Sequence, residues 1–228
     1  MNDELYIGAH ASISMGYEAS LKSIFSIGGN AVQIFLKSPR GRAAKPYDEE
    51  EGQRARKFLE DNKMFLVGHC SYLLNFAKDP VENSWAVKSL IDDMNRISKL
   101  GGSGVVLHIG KYLEMKKEDA YENIRKSVSL VLDKTSDDVK VVFENTSGQG
   151  TEIGFLFEEL KVIYGLFSDE QQRRIGFCLD TCHAHAAGYD LSSALGAQKW
   201  IDDFEHNIGW GKVVCIHLND SSKDAGSH

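Results

Sequence analysis

Five side chains able to bind a metal or move a proton, His69, His108, Glu144, Asp180 and His217, recur along this chain at intervals of 39, 36, 36 and 37 residues. Each closes a short apolar, β-branched run, and a sixth, His183, lies three residues past Asp180 in the loop expected there. Imidazole and carboxylate together are the ligand set of zinc, manganese or iron(II), and the lack of a four-cysteine pattern argues against a structural zinc ribbon. A lone histidine at a strand end is ordinarily a hydrogen-bonded rim residue. Recurrence at one spacing, with Asp, Glu and His at these ends and almost no Lys or Arg, is what points to metal chemistry.

The runs that carry these residues read as strands: Leu5 to His10, Ala31 to Phe35, Phe65 to Cys70, Gly104 to His108, Val139 to Asn145, Ile175 to Asp180 and Val213 to Asp220. Between them, Asp48 to Lys63, Val81 to Leu100 and Ala120 to Lys134 place apolar residues at helical spacing, with Gly28-Gly29 and Gly101-Gly102 as stop signals. Alternation of strand and helix at a near-constant period predicts an α/β fold, a (β/α)8 TIM barrel in one domain over residues 1–228. Catalytic groups of such a barrel sit at the C-terminal strand ends, so the five polar ends converge on one mouth. Another period of roughly 36 residues puts an eighth strand past His228, so seven of eight strands are expected here and the chain is read as C-terminally truncated, lacking its eighth βα unit.

Composition excludes several classes. With 42% hydrophobic and 26% charged residues the 228-residue chain can bury one large core. No run approaches the roughly 18 apolar residues of a membrane span, and Met1-Asn2-Asp3-Glu4 lacks the regions of a signal peptide, so an intracellular, cytoplasmic or nuclear protein without membrane contact is expected. Cys70, Cys178, Cys182 and Cys215 form no CxxC pair and are expected as reduced, buried thiols. The net charge of −7 lacks the basic footprint of a nucleic-acid binder. Carboxylates around bound cations, however, count as negative while presenting a positive site. The dense basic stretch is Lys37-Ser38-Pro39-Arg40-Gly41-Arg42, with Lys45, after the second strand. A loop of that kind suits phosphate contact.

Several segments resemble the endonuclease IV family of AP endonucleases: Ile7-Gly8-Ala9-His10, the run Gly68 to Asn75, the run Phe143 to Gly150, the run Cys178 to Asp190, and His217-Leu218-Asn219-Asp220-Ser221. The resemblance runs across essentially the whole chain. It implies a monomeric, zinc-dependent enzyme of base-excision repair that hydrolyses the phosphodiester 5′ to abasic sites in double-stranded DNA and leaves a 3′-hydroxyl. It further implies a three-Zn2+ site: His69, His108 and Glu144 on one zinc, Glu144 bridging to a second held by Asp180 and His217, and His183 on a third. Glu144 would then sit beside the zinc-bound hydroxide that attacks phosphorus. The family's remaining ligands, a D-x-H motif and a glutamate of strand eight, are expected past His228, so one zinc has its full protein set here. The resemblance also implies that Tyr72 and Leu73 fill the gap left by a turned-out nucleotide, with Lys37, Arg40 and Arg42 on the phosphates.

Two other readings stand beside this one. A sugar isomerase or epimerase of the same barrel type would use similar carboxylate and His ligands for a single divalent metal, and a non-catalytic fragment would bind metal or DNA without cutting. Cys178 and Cys215 share strand parity with Asp180 and His217 and are expected inside the barrel as small core residues. His10 is expected as a hydrogen-bond partner behind the ligands. His185, alternate to His183 in a loop, is not expected to converge with it, and Glu205-His206 is expected on a solvated helical stretch.

Overall fold

Period-two strands flanked by amphipathic helices build the sheet directly. In the computed structural model, which describes residues 5–38, 41 and 45–228, these strands form one parallel sheet in sequence order, β1-β2-β3-β4-β5-β6-β7. The strands are β1 Gly8–Ala11, β2 Ala31–Phe35, β3 Phe65–His69, β4 Gly104–His108, β5 Lys140–Glu144, β6 Ile175–Asp180 and β7 Val213–His217. The helices are α1 Tyr17–Phe25, α2 Glu49–Asp61, α3 Ser84–Lys99, α4 Lys117–Leu132, α5 Phe157–Tyr164, α6 Asp169–Arg173, α7 Thr181–Ala186 and α8 Ala194–Asn207.

Boundaries follow local chemistry. Helix α2 begins where the Asp48 side chain accepts the Glu51 backbone N–H, and α6 where Ser168 and Gln171 close a capping box. The first strand starts at Gly8, later than the apolar run from Leu5 suggested, because pairing with β2 begins at Gly8 opposite Ala31. The strand approaches so closely there that a Cβ on Gly8 would lie 1.5 Å from the Ala31 carbonyl oxygen. Strands β5 and β7 end sooner than expected, at Glu144 and His217.

Two apolar layers result. The larger lies between the sheet and its helices and includes Val105, Leu107, Val141, Phe143, Phe177 and Leu179, which alternate with residues facing inward. The smaller is inside the curved sheet, where Val106, Val142 and Cys178 pack with Val214 and Cys215. The central strands are almost wholly buried, whereas β1 is largely exposed and β7 is partly so, with Ile216 48% exposed. Among the described residues β1 and β7 are the sheet edges.

The register sets the height of each ligand candidate. His69 pairs with Val106, so His108 stands two residues further along its strand. His108 is level with Glu144, and Glu144 with Cys178, which raises Asp180 by a further two residues to the level of His217. This staggered ascent, the shear of a barrel wall, brings residues from five strands around one carboxylate.

Candidate metal centre

Glu144 is 1% exposed and lies at the centre of the mouth. Its Oε2 is 3.1 Å from His69 Nε2 and 3.1 Å from His108 Nε2. Its Oε1 is 3.0 Å from His217 Nδ1 and 3.4 Å from His183 Nδ1. One carboxylate thus offers an oxygen to each of two imidazole pairs. Burial by itself would raise the Glu144 pKa, but the contacts to His108, His183, His217 and His69 outweigh it and hold the carboxyl well below its ordinary range.

Asp180 closes the second half of the cluster. Its Oδ1 caps α7 by accepting the His183 backbone N–H at 2.9 Å, and its Oδ2 accepts from Asn219 Nδ2 at 2.7 Å while lying 3.6 Å from His217 Nδ1. Burial raises the Asp180 carboxyl, and the His217 contact and the His183 charge reverse that, leaving it below the usual aspartate value. The imidazoles move the other way. Burial would lower His183, yet Glu144 and Asp180 push it up to about 9; burial would lower His217, yet Asp180, Cys215 and Glu144 push it up to about 12. In the metal-free protein this mouth therefore stores protons on His183 and His217, which a cation must displace.

Backbone and amide groups behind the rings fix their tautomers. His69 Nδ1 is 2.8 Å from the Cys70 carbonyl oxygen, to which it donates, and this turns the Nε2 lone pair to the mouth. His217 Nε2 is 2.7 Å from Gln33 Oε1, so the neutral ring presents the Nδ1 lone pair toward Glu144 and Asp180. Gln33 Nε2 in turn lies 3.3 Å from His10 Nδ1. His10 thus stands behind His217 and reaches it through Gln33. Sequence reasoning missed Gln33; its only signal is a polar residue at an inward position of the otherwise apolar β2. Asn145 ties the ends of β5 and β6 together, accepting the Asp180 N–H at 2.7 Å and donating to the Asp180 carbonyl at 3.1 Å.

Donor geometry fits metal. His69, His108 and Glu144 place one ligand atom each within 4.8 Å of one another, and so do Glu144, Asp180 and His217. The two sets share Glu144. His183 belongs to neither triad, although its Nδ1 faces the Glu144 carboxylate they share, and it sits on α7 rather than in the loop expected for it. Helical spacing explains why His185 does not converge with it, since residues two apart in a helix point to different faces.

Tyr72 and Leu73 stand at the rim, 53% and 50% exposed. The Tyr72 ring leans on Phe35, His69 and His108 with centroids 5.2, 5.3 and 5.5 Å away. Arg40 and Arg42 lie outside the described residues. Lys37 departs from the expected role of presenting charge to a phosphate. Its ammonium is turned into the protein, 3.1 Å from both Asp92 and Asp93 and 2.7 Å from the Ser89 carbonyl, with the side chain 7% exposed. The two α3 carboxylates already neutralise it.

Among the described residues all four cysteines are free; Cys70 and Cys178 are buried, whereas Cys182 and Cys215 are half-buried, the latter because β7 lies at a sheet edge. Glu205 and His206 are exposed on α8.

Fold and centre together define a class. The family model described as xylose isomerase-like TIM barrel matches residues 21–228. The chain is 37% identical over 226 residues to the probable endonuclease 4 of Clostridium beijerinckii, covering 98% of this chain and 80% of that protein. The crystal structure of endonuclease IV from Thermus thermophilus superposes with a TM-score of 0.82 at 31% identity, covering 97% of this chain and 79% of the other. A D-tagatose 3-epimerase-like protein shares the fold at 18% identity and a TM-score of 0.69, over 94% of this chain and 77% of that one. The protein is a xylose isomerase-like TIM barrel with a histidine- and carboxylate-lined mouth. Within that class, it belongs to the endonuclease IV family.

Proposed function

We propose that this chain, a single barrel domain acting as a monomer, is a zinc-dependent endonuclease of base-excision repair that hydrolyses the phosphodiester 5′ to abasic sites in duplex DNA. The observation that carries the reading is the division of Glu144, one carboxylate oxygen facing His69 and His108 and the other facing His183 and His217. A bridging carboxylate between two ligand sets suits a multi-metal phosphodiesterase better than the single divalent ion of a sugar isomerase.

His69, His108 and Glu144 would hold one zinc, Glu144, Asp180 and His217 a second, and His183 would serve a third. Bound there, the ions would supply Lewis-acid polarisation of a phosphoryl oxygen and activation of water near neutral pH. The chain's own groups do the rest. Cys70 and Gln33 hold the His69 and His217 rings in the tautomers that face the mouth. Asn145 and Asn219 hold Asp180 still while its Oδ1 caps α7 and so fixes His183.

Tyr72 and Leu73 are the exposed rim pair positioned to enter the gap beside a turned-out abasic nucleotide. Arg40 and Arg42 supply phosphate contacts from the basic loop, and Lys37 anchors the base of that loop against α3. As a DNA-repair enzyme it would act inside the cell. Among the described residues no helix is long and apolar enough to cross a membrane.

The test is incision of a duplex oligonucleotide carrying one tetrahydrofuran abasic analogue, before and after chelation and with zinc restored. The expected product is cut 5′ to the analogue and carries a 3′-hydroxyl, its formation is lost on chelation, and zinc restores it. Retained DNA binding without incision would favour a non-catalytic binder, and neither binding nor incision would favour sugar chemistry.

A further inference from the structure

A third donor set lies beside the two that share Glu144 and has His217 in common with one of them. Cys178 and Cys215 are paired residue to residue across β6 and β7. Neighbouring strands are about 4.8 Å apart, and one ligand atom each from Cys178, Cys215 and His217 lies within 4.8 Å of the others. Both thiols belong to the inner apolar layer with Val106, Val142 and Val214. Cys178 is fully buried, whereas Cys215 is half-buried.

His217 therefore stands between two ligand sets of different character, the oxygens of Glu144 and Asp180 and the sulfurs of Cys178 and Cys215. Two thiolates and an imidazole are a three-ligand metal set of the kind that a fourth, non-protein ligand completes. Ligand softness separates the two sets: carboxylate oxygens suit Mn2+ and sulfurs suit thiophilic d10 ions. We propose that Cys178, Cys215 and His217 form a further metal position, apart from those of the mouth, that captures a thiophilic divalent cation, Cd2+ or surplus Zn2+, and draws His217 away from Glu144 and Asp180. Binding releases the two thiol protons to solvent, leaves the sulfurs as thiolates and changes no oxidation state. The position stands on its own geometry and does not depend on what the mouth hydrolyses.

Cadmium titration of the chelator-treated chain, followed by the ultraviolet thiolate-to-cadmium absorption band and by cadmium NMR, tests the proposal. The wild type and a Cys70→Ala/Cys182→Ala variant are expected to develop the band and a resonance in the sulfur-ligated region. Cys178→Ala/Cys215→Ala is expected to lose both, and Cys215→Ala alone, at the less buried of the two positions, is expected to lose most of the band. His217→Ala is expected to weaken the band's titration about tenfold or more, and Mn2+ is expected to leave the thiols unprotected from alkylation where Cd2+ protects two of them. A wild type without the band, a band that survives Cys215→Ala, or a thiol count that falls by two without any metal because a disulfide has formed would each overturn it.

Discussion

Glu144 and Asp93 are both carboxylates about 1% exposed, and the protein treats them in opposite ways. Glu144 is surrounded by imidazoles from four elements, and its carboxyl sits well below the ordinary range. Asp93, on α3, faces the single ammonium of Lys37 at 3.1 Å, and burial still pushes its pKa up to about 7 despite that cation. The difference lies in what balances the buried charge. A lysine ammonium is fixed, so the Asp93 pair locks the end of β2 to α3. Imidazolium protons can be displaced by a bound cation, so the charge around Glu144 can be exchanged for metal without leaving a bare carboxylate in a low-dielectric interior.

Glu144→Gln should break the comparison most severely. It removes the oxygen charge shared by both ligand sets, and incision is expected to fall by at least about 10²–10³-fold, with metal content falling alongside when measured by mass spectrometry of the native protein. Lys37→Met attacks the other carboxylate. It leaves Asp93 buried without its principal cation and should lower unfolding free energy by about 3 kcal/mol, read from urea denaturation, while the zinc content of the folded protein stays unchanged. A loss of zinc with unaltered stability would mean that Lys37 serves the mouth and not the α3 lock.

Smaller effects refine the contrast. Gln33→Leu removes the acceptor behind His217 and should weaken metal binding about 10–100-fold, with no comparable loss for an exposed control such as Gln198→Leu on α8. The pH dependence should separate the two carboxylate environments. His183 is raised from 6.5 to about 9, so the stability it gives the metal-free protein is complete below about pH 6.5 and disappears as pH climbs through about 9. Asp93 is raised from 3.8 to about 7, so the folded state binds the extra proton between those values and stability declines as pH rises across that lower window. Melting temperature in chelator is expected to drop by a few degrees across the upper window, and saturating zinc should remove that slope. Asp93→Asn should flatten only the lower one.

Much of this was readable in the chain. Each ligand candidate ends an apolar run, and a strand fixes inward and outward faces by a period of two, so His69, His108, Glu144, Asp180 and His217 had to share the interior once the runs were strands. Their common spacing specified the repeating βα unit, and the quoted motifs specified the family. Other assignments resisted sequence reading for definite reasons. Lys37 looked like a free basic residue because its partners, Ser89, Asp92 and Asp93, are more than fifty positions away on α3. His183 looked like a loop residue because the cap that starts α7 is Asp180, a residue that also serves the mouth.

Sequence by itself thus determined which residue types face the barrel interior and how many residues separate them, because side-chain alternation and helix periodicity are local properties of the backbone. Only the tertiary structure decided their heights. The ladder register raises the ligand candidates by two residues between β3 and β4 and again between β5 and β6. That stagger divides the Glu144 oxygens between two imidazole pairs, brings Gln33 of β2 against His217 of β7 and sets Cys178 beside Cys215. Register depends on how twisted neighbouring strands pack through their whole length, a sum over contacts between distant segments that no local pattern encodes.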